Sequence, residues 1–307
     1  MSVTTGTTAL PRRERMTIVD SAESAALRRR AKRRRRTRQI LWNLVGVAVF
    51  LLMFFPVYWM ISTAFKPTPD ILSFTPHWFP DSPTIANFRA AVERPNFWSA
   101  VRTSVIITVS TVLIASAVAL LAAVAVGRME FRGRKAFILM IVVVQMVPLN
   151  VMIISIYLLL NRFGQTNRLS GVIITYLAFV LPFIVWTLRG FVMNVPKELE
   201  EAAMVDGCNR FEAFRRVVLP LILPGLVATS IFAFIQAWNE YIMAYILLTD
   251  QEKMPLTVWL AAFTSQRGTE WGPLMAASVL TALPVVVFFM IINRKIASGL
   301  TAGAVKG

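Results

Sequence analysis

The sequence predicts an all-α integral membrane protein with six transmembrane helices, and three observations carry that expectation. Of 307 residues, 56% are apolar and 16% charged, and the mean hydropathy of +0.63 exceeds that of an ordinary water-soluble domain. Six apolar stretches reach the length of about 20 residues that a helix needs to cross a hydrocarbon core while satisfying its own backbone. The 32 Lys and Arg against 16 Asp and Glu are unevenly spread over the segments between those stretches. A single cysteine, Cys208, cannot form an internal disulfide, and a single histidine, His77, argues against a His/Cys metal cage.

In chain order, residues 1–39 read as a disordered basic cytoplasmic tail. Nine Lys and Arg crowd into Arg28–Arg38, a density that suits attraction to anionic membrane lipid. No aromatic residue interleaves the run to stack on bases, so nucleic acid is not an expected partner. The apolar run that follows is longer than a signal-peptide core and lacks an A-x-A cleavage site, so it is expected to anchor rather than be removed. The spans are expected at Ile40–Ser62, Val105–Val126, Ala136–Leu160, Gly171–Leu188, Pro224–Leu248 and Pro273–Ile292. Residues 40–293 would form one six-helix domain without internal repeats, and 294–307 a short tail. One alternating set of loops and tails holds 24 Lys and Arg and the other 8, which by the positive-inside rule places both termini in the cytoplasm.

Two outer loops are long enough to fold. Thr63–Thr103 carries Pro67, Pro69, Pro76, Pro80 and Pro83 with Trp78 and Phe88 close by, the composition of a folded cap rather than a tether. Thr249–Gly272 holds the mildly amphipathic Leu256–Phe263 and two tryptophans, Trp259 and Trp271, expected at the membrane interface.

The inner loop at 194–220 is neither apolar enough to span nor polar enough to be disordered. Pro196 suits a first helical position, Glu198, Glu200 and Glu201 lie near the positive end of the helix dipole, and Gly207 can close the helix in a left-handed cap. Leu199, Ala202 and Ala203 stand at i, i+3 and i+4, so one face consists mostly of small side chains that let a partner's backbone approach. A second helix is expected from Asn209 through Phe211, Phe214 and Val218 to Leu219, ending before Pro220. Docking to a partner is one reading of this loop. A helix lying on the membrane surface is the other, because Phe211 and Phe214 stand beside Arg210, Arg215 and Arg216.

The run Glu201-Ala202-Ala203, three residues, Gly207, nine residues, Val217, one residue, Leu219-Pro220 resembles the EAA loop of permease subunits in binding-protein-dependent ABC importers. Phe65-Lys66-Pro67, Trp238-Asn239-Glu240-Tyr241 and the ending Gly299-Leu300 with Gly303-Ala304-Val305-Lys306-Gly307 extend the resemblance to MalG-type carbohydrate permeases, over about residues 40–307. The resemblance implies a type I importer permease fold whose cytoplasmic coupling helix seats in a cleft of an ATPase subunit. Carried over, Glu201 is the ionic contact, Ala202 and Ala203 the close-packing face, Asp206 and Gly207 the turn, and Leu219 and Pro220 the end of the motif. Gly303, Ala304, Val305, Lys306 and Gly307 would reach toward the ATPase dimer. The implied partners are a second permease subunit in a heterodimer, a cytoplasmic ATPase dimer, an extracytoplasmic solute-binding protein and a sugar, in a bacterial inner membrane.

This chain is not expected to be an enzyme. No G-x-x-x-x-G-K-[ST] loop occurs, Gly133-Arg134-Lys135 having neither its spacing nor its hydroxyl, so ATP and its Mg would be bound by the partner ATPase. No G-x-S-x-G elbow occurs either. Polar side chains within apolar spans need a reason: Gln145 and Asn150 in the third, Gln236, Asn239 and Glu240 in the fifth, with Trp238 and Tyr241 beside them. Amides and aromatic faces suit a neutral, hydroxyl-rich sugar, so Gln145, Asn150, Gln236, Trp238, Asn239 and Glu240 are the candidate substrate pathway. Interhelical hydrogen bonding is the alternative role for the amides. Glu240, the one acidic residue within a span, lies about 30 Å along a helix from Pro220 and reads as a subunit contact or outer gate. Pro148, Pro182 and Pro284 would kink their helices. An importer of an amino acid or peptide would keep this architecture with other cargo, and a stand-alone secondary transporter would need ion carriers beyond Glu240.

Overall fold

The computed structural model describes the backbone of residues 12–266 and 268–304, and side chains there except at 12–31, 33, 149–150 and 293–304. The chain divides into two units, Met1–Trp59 and Met60–Gly307. The first is occupied by helix α1, Arg12–Ala64, which runs on into the start of the second. The basic stretch expected to be disordered is thus helical from Arg12. Arg, Lys, Ala, Leu and Glu are good helix formers, and neither Gly nor Pro interrupts the chain between Arg12 and Val45.

The second unit continues with α2 (Thr68–Ile71), α3 (Ala86–Glu93), α4 (Phe97–Arg128), α5 (Arg134–Gln145), α6 (Ile153–Arg162), α7 (Leu169–Asn194), α8 (Lys197–Val205), α9 (Arg210–Ala213), α10 (Leu219–Asn239), α11 (Ile242–Leu247), α12 (Leu256–Leu260) and α13 (Trp271–Ala304). A two-residue antiparallel pair, β1 (Thr264–Ser265) with β2 (Gly268–Thr269), precedes α13. Five helical segments among the described residues are long and apolar enough to cross a membrane: Arg34–Ala64, Phe97–Arg128, Leu169–Asn194, Arg210–Asn239 and Trp271–Ile292. The third expected span is helical but divided. It stops at Gln145, passes Pro148 and a 3-10 turn at Leu149–Met152, and resumes as α6. The fifth likewise stops at Asn239 and resumes as α11. Helices α7 and α13 instead continue through Pro182 and Pro284.

The core forms where α4, α7 and α10 pack together. On α4, Ala115, Ala119 and Ala123 recur every four residues and are fully buried. On α7 the same period carries larger side chains, Val172, Tyr176, Val180, Ile184, Leu188 and Val192, all buried. A small-residue ridge against a large-residue ridge lets the backbones approach closely, the arrangement that stabilises helix pairs in lipid. Ser116 Oγ and Ser230 Oγ, 3.0 Å apart, hydrogen-bond α4 to α10. At Gly225 of α10 a Cβ would lie 2.4 Å from the Phe191 ring of α7. Gly225→Ala is expected to cost about 1–3 kcal/mol by overpacking, read as a lower temperature at which the detergent-solubilised protein loses its monodisperse elution peak.

The loop Thr63–Thr103 is folded, as its prolines predict. Asn87 Nδ2 donates to Ala64 O at 3.0 Å and Lys66 O at 2.8 Å, and the buried Lys66 ammonium donates to His77 O. Desolvation pushes the Lys66 pKa below the usual lysine value, against the opposing pull of Asp70 and Asp81. Arg94 joins this loop to the last one: its guanidinium donates to both Glu270 carboxylate oxygens, at 3.1 and 3.0 Å, and to Ala262 O at 2.6 Å. Trp259, expected at the interface, is instead buried at 5% exposure. Its Nε1 donates to Pro95 O at 2.9 Å and its ring packs on Phe97 and Phe263, so it holds the two loops together. Trp271 is half exposed, at 47%.

Candidate functional site

Helix α8 is short because both of its ends are fixed chemically. Pro196 occupies the N-cap in extended conformation, and Glu198 and Glu200 lie in the first turn. At the other end Gly207 has φ +94°. Gly207 N donates to Met204 O at 3.1 Å and Cys208 N to Ala203 O at 3.0 Å, the paired bonds of a Schellman cap. Two residues on, Asn209 opens α9 with a reciprocal capping box: Glu212 N donates to Asn209 Oδ1 at 2.9 Å, and Asn209 N to Glu212 Oε2 at 3.1 Å.

The second helix of this loop does not end before Pro220 as expected. A π-turn at Phe214–Val218, in which Leu219 N donates to Phe214 O, carries α9 into α10 without a stop. The wider turn absorbs one extra residue directly before Pro220, so the proline, which has no N–H to give, enters where the regular bond register is already broken.

Arg128, the last residue of α4, holds α8 in place. Its Nη2 donates to Val195 O at 2.8 Å, and its Nη1 lies 3.5 Å from Glu200 Oε2 with the arginine side chain only 11% exposed. The sequence reading counted Arg128 only as a topology charge, and no local pattern joins positions so far apart. Helix α8 is open on the side away from this anchor: Leu199 is 44% and Val205 87% exposed, Glu201 and Ala202 are exposed and Ala203 is intermediate, while beyond the helix Asp206, Gly207 and, at the start of α10, Pro220 are exposed and Leu219 is intermediate. Beside it lies a cavity of about 540 Å³ lined by Val124, Arg128, Glu201, Met204, Phe211 and Phe214. Arg128→Met keeps the apolar bulk but removes the ion pair to Glu200 of α8 and the bond to Val195 O at the end of α7. It is expected to raise protease cleavage within 194–220 severalfold, since hydrogen bonds from charged groups contribute about 1.5–3 kcal/mol.

A second cavity, about 410 Å³, lies where α5, α7 and α10 meet, and it gathers Gln145, Gln236, Asn239 and Glu240. Three of the four come from two interrupted helix ends. Glu240 is not within a continuous helix but caps the next one. Its Oε1 accepts from Met243 N at 2.8 Å, and its Oε2 from Ala244 N at 3.2 Å and from the Tyr176 hydroxyl at 2.7 Å. Tyr176 was missed by the sequence reading, since nothing near it in the chain pairs it with Glu240. Two of the amides bond within their own helices: Gln145 Nε2 donates to Ile141 O and Asn239 Nδ2 to Ile235 O. Gln236 is exposed on the same side of α10.

Trp238 does not belong to this cavity. It is 4% exposed, its Nε1 donates to Thr281 O at 3.0 Å, and its ring stacks on Phe234, because position 238 faces α13. Tyr241 stacks on Tyr245, with ring centroids 5.5 Å apart, and does not line the cavity either. The side chains of Asn150, Gly303 and Ala304, and all of Val305, Lys306 and Gly307, lie outside the described residues. Among the described residues no group of three or more His, Cys, Asp or Glu could hold a metal ion.

Residues 115–301 match the family described as binding-protein-dependent transport system inner membrane component. The chain is 48% identical to the diacetylchitobiose uptake system permease protein DasC of Streptomyces coelicolor, over 86% of this chain and 96% of the relative. It is 33% identical to the trehalose transport system permease protein SugB of Mycobacterium tuberculosis, over 88% of this chain and 98% of the relative. It is 31% identical to the trehalose/maltose transport system permease protein MalG of Thermococcus litoralis, again over 88% and 98%. Among solved structures, a chain of a bacterial ABC transporter involved in import of the acidic polysaccharide alginate superposes with a TM-score of 0.72 at 19% identity, covering 94% of this chain and 99% of that one. At that identity the likeness is one of fold.

Proposed function

This chain belongs to the family of binding-protein-dependent transport system inner membrane components, and on that premise we propose that it is one of two membrane-spanning subunits of an ATP-driven sugar importer. A second permease subunit stands beside it, an extracytoplasmic binding protein delivers the sugar, and a cytoplasmic ATPase dimer binds ATP and Mg and hydrolyses the nucleotide. Both termini and α8 lie on the cytoplasmic side, in keeping with the Lys and Arg excess there. The named relatives take up diacetylchitobiose, trehalose or maltose, which supports a neutral di- or oligosaccharide as cargo.

One observation carries the coupling role: a short helix closed by the Gly207 cap, anchored through Arg128 to α4 and joined by a tight turn to α9, which runs into α10, presents an open face on which Ala202 and Val205 stand beside Glu201. A push on α8 therefore reaches two core helices at once. The small side chain of Ala202 lets a partner's backbone approach, and Glu201 beside it offers a charge for a basic partner.

The test is co-expression with the neighbouring ATPase and binding protein, followed by purification and reconstitution into vesicles. Co-purification of the ATPase and ATP-dependent uptake of labelled diacetylchitobiose, trehalose or maltose are expected. Transport by the chain alone without ATP would overturn the reading.

A further inference from the structure

We propose that the cavity among α5, α7 and α10 is a saccharide subsite contributed by this chain itself, an inference that rests on the sugar-import reading. Three backbone irregularities converge on the cavity. Helix α5 stops at Gln145, three residues before Pro148, and α10 stops at Asn239. Between them on α7, Pro182 has no N–H to give the carbonyl of Ala178, and both residues line the cavity. Non-helical backbone at membrane depth persists where it is buried in protein or lines a water-filled cavity, and in other transporter folds interrupted helices frame the substrate site.

The chemistry of the walls selects the ligand. Gln145 and Asn239 turn their NH2 groups back onto their own helices, which leaves their amide oxygens as acceptors. Glu240 is held by three donors, yet a carboxylate has about four lone-pair sites, so acceptor capacity remains. Gln236 has no hydrogen-bond partner among the described residues and offers both donor and acceptor. The same walls carry Phe179 and Phe183 of α7 and Phe232 of α10, the last two with ring centroids 3.9 Å apart. Hydroxyl donors meet the acceptors, and the C–H face of a sugar ring meets the phenyl rings. Among the described residues no Lys or Arg lines the cavity, and the Glu240 carboxylate repels anions, so a neutral saccharide is the ligand class. The volume of about 410 Å³ is within the range of about 300–1,000 Å³ for small-molecule sites.

The experiment uses the complete importer in vesicles. Gln236→Cys is labelled with a maleimide in the presence and absence of diacetylchitobiose, trehalose and maltose, with the parent, whose one cysteine is Cys208, as baseline. The sugar that the parent imports is expected to slow labelling at least threefold. Gln236→Ala and Phe183→Ala are each expected to lower uptake about tenfold, the equivalent of one good contact, while the loaded binding protein still stimulates ATP hydrolysis. Should Phe183→Ala fail to assemble, Phe183→Leu replaces the ring by an aliphatic side chain. Labelling indifferent to the imported sugar, or full uptake by both variants, overturns the subsite while leaving sugar import standing. If the parent imports none of the three sugars, the sugar-import reading fails and the subsite with it.

Discussion

Gly207→Val is expected to cut sugar uptake by about tenfold while leaving the amount of protein in the membrane unchanged. Gly207 sits at φ +94°, where an L side chain costs about 1–2 kcal/mol and a β-branched one is among the worst. A Cβ at this position would meet nothing within 4 Å, so the cost falls on the backbone of the cap and not on packing elsewhere. The two bonds that close α8, Gly207 N to Met204 O and Cys208 N to Ala203 O, are the ones lost. A penalty of this size shifts a local equilibrium by about 5- to 30-fold, enough to fray a helix of nine residues. Gly207→Asn, which tolerates the left-handed region, should retain most of the uptake. Measuring uptake against membrane-inserted protein checks this, and undiminished uptake by Gly207→Val would remove the cap from the coupling path.

Glu201→Lys is expected to release the ATPase during purification and to bring uptake to background. Glu201 is exposed on α8 and borders the cavity shared with Lys197 and Arg210. Reversal turns the 197/201 pair, one helical turn apart, into like charges. It also opposes the basic partner that the EAA resemblance implies. Glu201→Gln separates charge from shape: it should hold the ATPase less tightly than the parent at low salt, and what binding remains should depend less on ionic strength, because the screened charge pair is gone. Full ATPase recovery with Glu201→Lys would place the contact elsewhere on α8.

The six apolar stretches were legible because membrane insertion is decided by local hydropathy, and each of them is helical. Continuity was not legible. Pro148 and Pro182 are both prolines in apolar surroundings, yet one stands at a break and the other inside an unbroken helix. The difference is what the freed backbone groups meet in three dimensions. The α8 cap was legible from Gly207 and the spacing before it, since a Schellman cap is a matter of consecutive residues. The run past Pro220 was not, because the π-turn that accommodates it leaves no residue-type signature. Trp238 had the right chemistry for a sugar and the wrong direction: one helical position decides whether an indole faces a cavity or the Thr281 carbonyl.

Composition, hydropathy and the EAA spacing by themselves determined that this is a helical membrane protein with a short helix closed by a glycine cap, because those properties depend on residues adjacent in the chain. Only the tertiary structure decided that Arg128 anchors that helix, that Tyr176 meets Glu240, and that Gln145 and Gln236 share a wall. Those pairings depend on the rotation and separation of packed helices, which are set by the mutual fit of the α4, α7 and α10 ridges and are written in no single stretch of sequence.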